Sequence, residues 1–194
     1  MVIIMNRSMC QSAQDYFTTM NEVINAIDYK IIDELVARLV QAQKENRKVF
    51  VFGNGGSAST SGHFGLEFVM TGAPGGPKAL QVHSLSDNIG LLTALANDTS
   101  YAEIFRYQLN AFATAGDIAI AITGSGNSPN IVNACQWAKD NGVIVVALTG
   151  FDGGKVQELA DIQVHIPSNN YGIIEDLHMS IGHIIGQRLH QILP

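Results

Sequence analysis

The spacing of apolar positions changes character at Lys48. Before it, Tyr16, Met20, Val23, Ile24 and Ile27 recur at threes and fours, and Ile31, Ile32, Leu35 and Leu39 continue the stripe. That period predicts two amphipathic helices over about 6–45. No strand separates them, so they are expected to pack outside the sheet or against a partner subunit. After Lys48, short unbroken apolar runs alternate with amphipathic stretches. Strands are predicted at 49–52, 79–83, 117–122, 143–148 and 162–166, and helices at about 57–70, 87–96, 101–113, 129–141, 153–160 and 172–192. Runs such as Val143-Ile144-Val145-Val146-Ala147-Leu148 show no polar face, which suits a parallel sheet covered on both sides. Asn141-Gly142 reads as a helix C-cap, and Pro129 as a first-turn residue. The expectation is one α/β domain over 1–194, a three-layer sandwich around a five-stranded parallel sheet. Residues 71–77, rich in Gly and Pro, read as a mobile loop within it.

Two of the predicted strands run straight into turns of Gly, Ser and Asn. Gly53-Asn54-Gly55-Gly56-Ser57-Ala58 follows Val49–Phe52, and Thr123-Gly124-Ser125-Gly126-Asn127-Ser128 follows Ile118–Ile122. A strand–turn–helix start gathers unpaired N–H groups and hydroxyls at the positive end of a helix dipole, which holds phosphate without a basic side chain. The first turn formally matches a dinucleotide fingerprint. That reading requires an acidic residue about 20 positions on, and positions 71–86 contain none. No Gly-Lys-Ser/Thr follows either turn, so a P-loop is excluded too. No nucleotide cofactor is expected.

Acid and base groups stand near these turns. His63 and Glu67 are four apart and share a helix face. Glu175 and His178 are three apart and share another. His183 lies eight beyond Glu175, about 80° round and two turns along, so the two meet one ion only by leaning together. Anion cradles beside such a set suggest chemistry on a phosphorylated small molecule. His83 and His165 read as structural, His190 as solvated, Trp137 as core, and His178 as either core or a neighbour of the site.

Composition narrows the class. With 46% hydrophobic and 14% charged residues in 194, the chain is a compact domain with a sizeable core, not a disordered one. A net charge of -6 without any basic run argues against a nucleic-acid surface. Cys10 and Cys135 lack metal or redox spacing and read as reduced core thiols. No stretch of about 18 apolar residues and no signal segment is visible, so a soluble cytoplasmic protein without membrane contact is expected.

The two turns, with His63-x-x-x-Glu67, Asn97-Asp98, Gly116-Asp117 and Leu148-Thr149-Gly150-Phe151-Asp152-Gly153-Gly154, resemble the sugar isomerase (SIS) family, and within it the bacterial phosphoheptose isomerases. The resemblance implies a Rossmann-like SIS fold with two extra N-terminal helices. It implies a homotetramer with sites between subunits, and interconversion of sedoheptulose 7-phosphate with D-glycero-D-manno-heptose 7-phosphate for cell-surface polysaccharide precursors. Thr123, Ser125 and Ser128 would hold the phosphate. Asn54, Gly55, Gly56, Asn97 and Asp98 would line the sugar, with Ser57, Gly124 and Glu175 completing the substrate site. Glu67 and His183 would be the catalytic pair, and His63, Glu67, Glu175 and His183 the ligands of a zinc ion. Two departures stand out: Glu175 occupies a position where the family has Gln, and Thr71 one where it has a basic residue. Lys78 or a partner subunit is the candidate replacement for the latter. The competing readings are a non-enzymatic relative that binds the replication initiator, and an isomerase or sensor of another phosphosugar. Relatives of the first kind lack the carboxylate and imidazole found here at Glu67 and His183, which favours the enzyme.

Overall fold

The computed structural model describes residues 10–71 and 79–193. Five strands, β1 (Lys48–Gly53), β2 (Gln81–Ser84), β3 (Ile118–Thr123), β4 (Ile144–Thr149) and β5 (Ile162–His165), form one all-parallel sheet in the order β2-β1-β3-β4-β5. Across its centre Val51 lies opposite Ile120, Ile120 opposite Val146, and Val146 opposite Ile162. The winding direction reverses between β1 and β3. In open parallel sheets this point leaves a crevice beyond the carboxyl ends of the strands, where ligands bind. Both glycine turns end there.

The two faces of the sheet are packed differently. Val49, Val51, Ile118, Ile120, Ile122, Val146 and Leu148 point toward α2 (Tyr29–Lys44), α3 (Gly56–Val69) and α7 (Tyr171–Ile192). Phe50, Phe52, Ala119, Ala121 and Ala147 point toward α4 (Ile89–Asp98), α5 (Ile104–Phe112) and α6 (Pro129–Asp140). On β3, Ile to one side and Ala to the other lets α6 come close through Ile131, Ala134, Cys135 and Ala138. Burial pushes the Cys135 thiol up to about 12, in keeping with an inert core residue.

The N-terminal pair differs from expectation in its placement. Leu35 and Leu39 of α2 are fully buried, and the helix lies against β1, β5 and α7 within the layer rather than outside the sheet. The earlier helix α1 (Ala13–Asn25) is tied to α7 by a 2.6 Å hydrogen bond from the Tyr16 hydroxyl to Asp176. The helix expected over 153–160 is one 3₁₀ turn, Lys155–Glu158, because Gly153 (φ 83°) and Gly154 (φ 57°) hold left-handed backbone just before it. The helix expected over 101–113 opens as a 3₁₀ turn, Tyr101–Glu103, before α5. Pro129 is at the first turn of α6, and Gly142 (φ 71°) follows the Asn141 C-cap, both as the sequence predicts. Apart from Thr71, the loop expected at 71–77, like Lys78, lies outside the described residues. Among the described residues no helix is long and apolar enough to cross a membrane.

Candidate active site

The phosphate-type cradle is built from backbone and hydroxyls. Thr123 ends β3, and its Oγ1 accepts from the Gly126 N–H at 3.2 Å. Ser125 Oγ accepts from the Asn127 N–H at 3.3 Å. Gly126 (φ 64°) must be glycine: a Cβ there would lie 2.0 Å from the Gly153 carbonyl oxygen. The loop after β4 clamps this turn from behind. Gly150 N–H donates to Gly124 O at 2.9 Å and Val156 N–H to Gly126 O at 3.1 Å, while Lys155 N–H donates to Asn127 Oδ1 at 3.2 Å. Ser57, Gly124, Ser125, Ser128 and Glu175 line a cavity of about 120 Å³ with the Tyr171 ring above Gly124.

Two helix N-termini open on this cavity. The first turns of α1, α2, α4 and α7 are satisfied by the side chains of Ser12, Asp28, Asn88 and Asn170. The two helices that open on the crevice, α3 and α6, have no side-chain cap. Their N-caps are Gly55, which has no side chain to offer, and Ser128, whose hydroxyl makes no bond to the helix. Several first-turn N–H groups already have acceptors: Ser57 and Ala58 turn back to the Asn54 and Gly55 carbonyls, and Ile131 to the Ser128 carbonyl and Asn130 Oδ1. The positive dipole ends of the two helices still favour an anion in the crevice.

Asn54 is fixed before any ligand arrives. It exchanges amide hydrogen bonds with Asn130 at 2.9 and 2.8 Å and accepts from the Tyr101 hydroxyl at 2.9 Å. Sequence reasoning missed Asn130, Tyr101 and Tyr171. Asn130, adjoining Pro129 in the α6 turn, carried the only local signal. Asn97 and Asp98 stand at the exposed end of α4, joined to each other at 2.8 Å, and do not line this cavity.

The acid–base group is built differently, from side chains of two packed helices. A Cβ on Gly182 would lie 2.1 Å from Phe64, one on Gly186 2.8 Å from Glu67, and Glu175 lies against Gly56. The contacts advance together, so α3 and α7 run side by side in the same direction, and the two glycines permit their close approach. Glu67 then lies between two imidazoles: its Oε1 is 3.5 Å from His63 Nε2 and 3.7 Å from His183 Nδ1. The imidazoles meet edge to face at 4.8 Å. One donor atom from each residue falls within 4.8 Å of the others. Ligands of tetrahedral zinc are separated by about 3.4 Å, given bonds of about 2.1 Å. His63 Nε2 is buried and makes no hydrogen bond among the described residues, so it has no competing partner that would keep it from an ion. The set therefore fits a divalent ion with an open position. Glu175 leans toward the start of α3 and is not part of this three-residue group.

The remaining candidates take supporting places. His178 is fully buried, its Nε2 3.3 Å from the Thr149 carbonyl, and burial pulls its pKa down to about 4. It is core packing behind the site. Burial also lowers the pKa of His165, whose Nδ1 lies 3.2 Å from Thr149 Oγ1. His83 stacks on Phe50, and His190 is exposed. Thr71 is buried, its hydroxyl donating to the Phe68 carbonyl at 2.7 Å, so it supplies no cation.

Known proteins share both sequence and fold with this chain. The SIS domain family matches residues 15–150. A phosphoheptose isomerase of Paramagnetospirillum magneticum is 39% identical over 171 residues, covering 86% of this chain and 88% of that protein. That of Clostridium acetobutylicum is 39% identical over 154 residues, covering 79% and 78%. The solved phosphoheptose isomerase of Francisella tularensis superposes with a TM-score of 0.85 at 30% identity, covering 92% and 96% of the two chains. The enzyme of Neisseria gonorrhoeae gives 0.84 at 26% identity with the same coverage.

Proposed function

The chain belongs to the SIS domain family, and from that premise we propose that it is an aldose–ketose isomerase of phosphosugars. Its substrate is sedoheptulose 7-phosphate and its product D-glycero-D-manno-heptose 7-phosphate, a precursor for cell-surface polysaccharide. The observation that carries the reading is Glu67 held between His63 and His183, on the helix that begins at the uncapped crevice. From Gly56 to His63 the helix rises about 10 Å. A ligand with phosphate at one end and a carbonyl several carbons away can span that distance.

The reaction moves one proton between neighbouring carbons and another between their oxygens, through an enediol. Glu67 takes the proton from C1 of the ketose and returns it at C2. His183 serves the two oxygens as the partner acid and base. His63, Glu67 and His183 are the residues that would hold zinc, which would supply Lewis-acid polarisation of the sugar oxygens. Ser125, Ser128 and the α6 N-terminus hold the phosphate, and the Asn54–Asn130 pair presents a fixed amide to the sugar.

The enzyme works as a cytoplasmic homotetramer with its sites at subunit contacts. Supporting this, Leu66 and Val69 of α3, Met70 just after it and Ile184 of α7 are exposed beside the acid–base group. The test is an isomerase assay with five-, six- and seven-carbon ketose phosphates, with and without zinc. Turnover restricted to the seven-carbon substrate is expected. Turnover of none of them would leave a binding protein, the reading that Glu67 and His183 disfavour.

A further inference from the structure

Asn54 stands between β1 and α3 and lines the cavity of Ser57, Ser125 and Ser128. What its amide can offer a ligand is set by its neighbours. The Ile131 backbone N–H donates to Asn130 Oδ1 at 3.0 Å, which fixes the oxygen end of that buried amide. Asn130 Oδ1 therefore accepts from Asn54 Nδ2 at 2.9 Å, and Asn130 Nδ2 donates to Asn54 Oδ1 at 2.8 Å. The Tyr101 hydroxyl donates to the same Asn54 oxygen at 2.9 Å. An amide oxygen has two lone pairs and its nitrogen two hydrogens. Both lone pairs of Asn54 are thus occupied, and one Nδ2 hydrogen remains without an acceptor among the described residues. Tyr101 itself is held in reach by α6: Asn133, three residues beyond Asn130, donates to the Ala102 carbonyl at 3.3 Å and to Glu103 at 3.0 Å.

We propose that Tyr101 is a positioning residue for sugar recognition: its hydroxyl locks Asn54 as a donor, so that the ligand atom meeting this amide is an acceptor oxygen. This rests on the reading of Asn54 as a sugar contact. The Tyr101 ring is 58% exposed, so it adds little to the core, and its hydroxyl is the group that reaches the crevice. That hydroxyl acts on the amide in two ways. It denies the Asn54 oxygen to a sugar hydroxyl, which would otherwise be able to donate to it. It also polarises the amide, which strengthens the remaining N–H as a donor. Asn130 alone would leave one lone pair of Asn54 open, and the direction of recognition with it. The cradle of Ser125 and Ser128 holds the phosphoryl group without this pair, and the Asn54 N–H adds a contact to the carbon chain beyond it.

The experiment is calorimetric titration of the full-length protein with sedoheptulose 7-phosphate and, separately, with inorganic phosphate, in a Glu67→Gln background that suppresses turnover. Tyr101→Phe, Asn54→Ala and the double variant are compared with that parent. Tyr101→Phe should weaken sugar-phosphate binding about threefold to tenfold, as for loss of one hydrogen bond, and leave inorganic phosphate binding unchanged. Asn54→Ala should lose at least as much of the sugar phosphate. Adding Tyr101→Phe to it should cost nothing more, because the hydroxyl acts through the amide. Full additivity in the double variant overturns the proposal. So does sugar-phosphate binding by Tyr101→Phe that equals the parent's while Asn54→Ala is weakened. An equal loss toward inorganic phosphate would make Tyr101 a support of the whole cavity, and overturns it too. Two other results reach further back and remove the proposal with what it rests on. Asn54→Ala binding the sugar phosphate like the parent would show that Asn54 is no sugar contact. A natural protein that does not bind the sugar phosphate at all would defeat the isomerase reading.

Discussion

The two ends of α3 hold chemistry of different make. At its start, the crevice is lined by backbone groups and short hydroxyls and clamped from behind by the loop after β4. Two to three turns on, Glu67 and its imidazoles are side chains about one-third to one-half exposed, brought together by the contact of α3 with α7. A backbone site is specified by where glycine is required. A side-chain site is specified by how closely two helices approach. The first should tolerate loss of a single hydroxyl; the second should fail when one group or one glycine is changed.

The sharpest break of that contrast is at Glu67 and His183. Glu67→Gln and His183→Ala should each lower kcat by about 10²- to 10⁴-fold, measured by steady-state assay. Their losses should not multiply in the double variant, because the two act as a unit. Full activity in His183→Ala would remove the mechanism. Next comes the helix contact itself. Gly182→Ala drives a methyl group into Phe64 and should cost about 1–3 kcal/mol in urea unfolding, as overpacking does. Activity should fall with it, since the separation of α3 and α7 sets the distance between Glu67 and His183.

Acid should act on the cradle's support. Folded His178 titrates at about 4, against 6.5 when free. Between these values the unfolded chain takes up a proton that the folded chain refuses. Stability should therefore fall as pH drops from about 6.5 to about 4, by up to about 1.4 kcal/mol per unit, then level off. Above 6.5 this group adds no slope. Unfolding of His178→Gln measured across that range should lack this component. The smallest effect is expected at the cradle: Ser125→Ala or Ser128→Ala should raise KM several-fold, about 1 kcal/mol, with kcat nearly unchanged. A fall in kcat with constant KM would place the phosphate elsewhere.

Much of this was legible in the chain because the signals are local. Unbroken apolar runs announce buried parallel strands, and Gly55 and Gly126 stand where the backbone needs positive φ. The i,i+4 spacing of His63 and Glu67 likewise places both on one helical face. What escaped depends on partners distant in sequence. The role of Gly182 appears only when Phe64 is seen against it. Asn130 and Tyr101 become part of the site through Asn54, 76 and 47 residues away. The apolar stripe of α2 predicts burial but not which surface it covers, and it covers the sheet. The family resemblance groups Glu175 with His183 while their spacing does not favour it, and the side chain leans toward the start of α3. The helix expected after β4 fails because Gly153 and Gly154 carry the backbone into the clamp that supports the cradle.

The anion-binding N-terminus of α6 also ties the protein's endurance to its metabolism. Four other helices carry a side-chain cap at the N-cap position; this one has none there, and an anion bound at its dipole end adds to the bonds its backbone already makes. The ligand is then a removable piece of the fold, and a molecule that binds only the folded form at a hundred times its Kd adds about 2.7 kcal/mol of stability. Starved of phosphosugar, the enzyme should melt earlier and be digested sooner, so that its abundance follows the supply of the compound it converts.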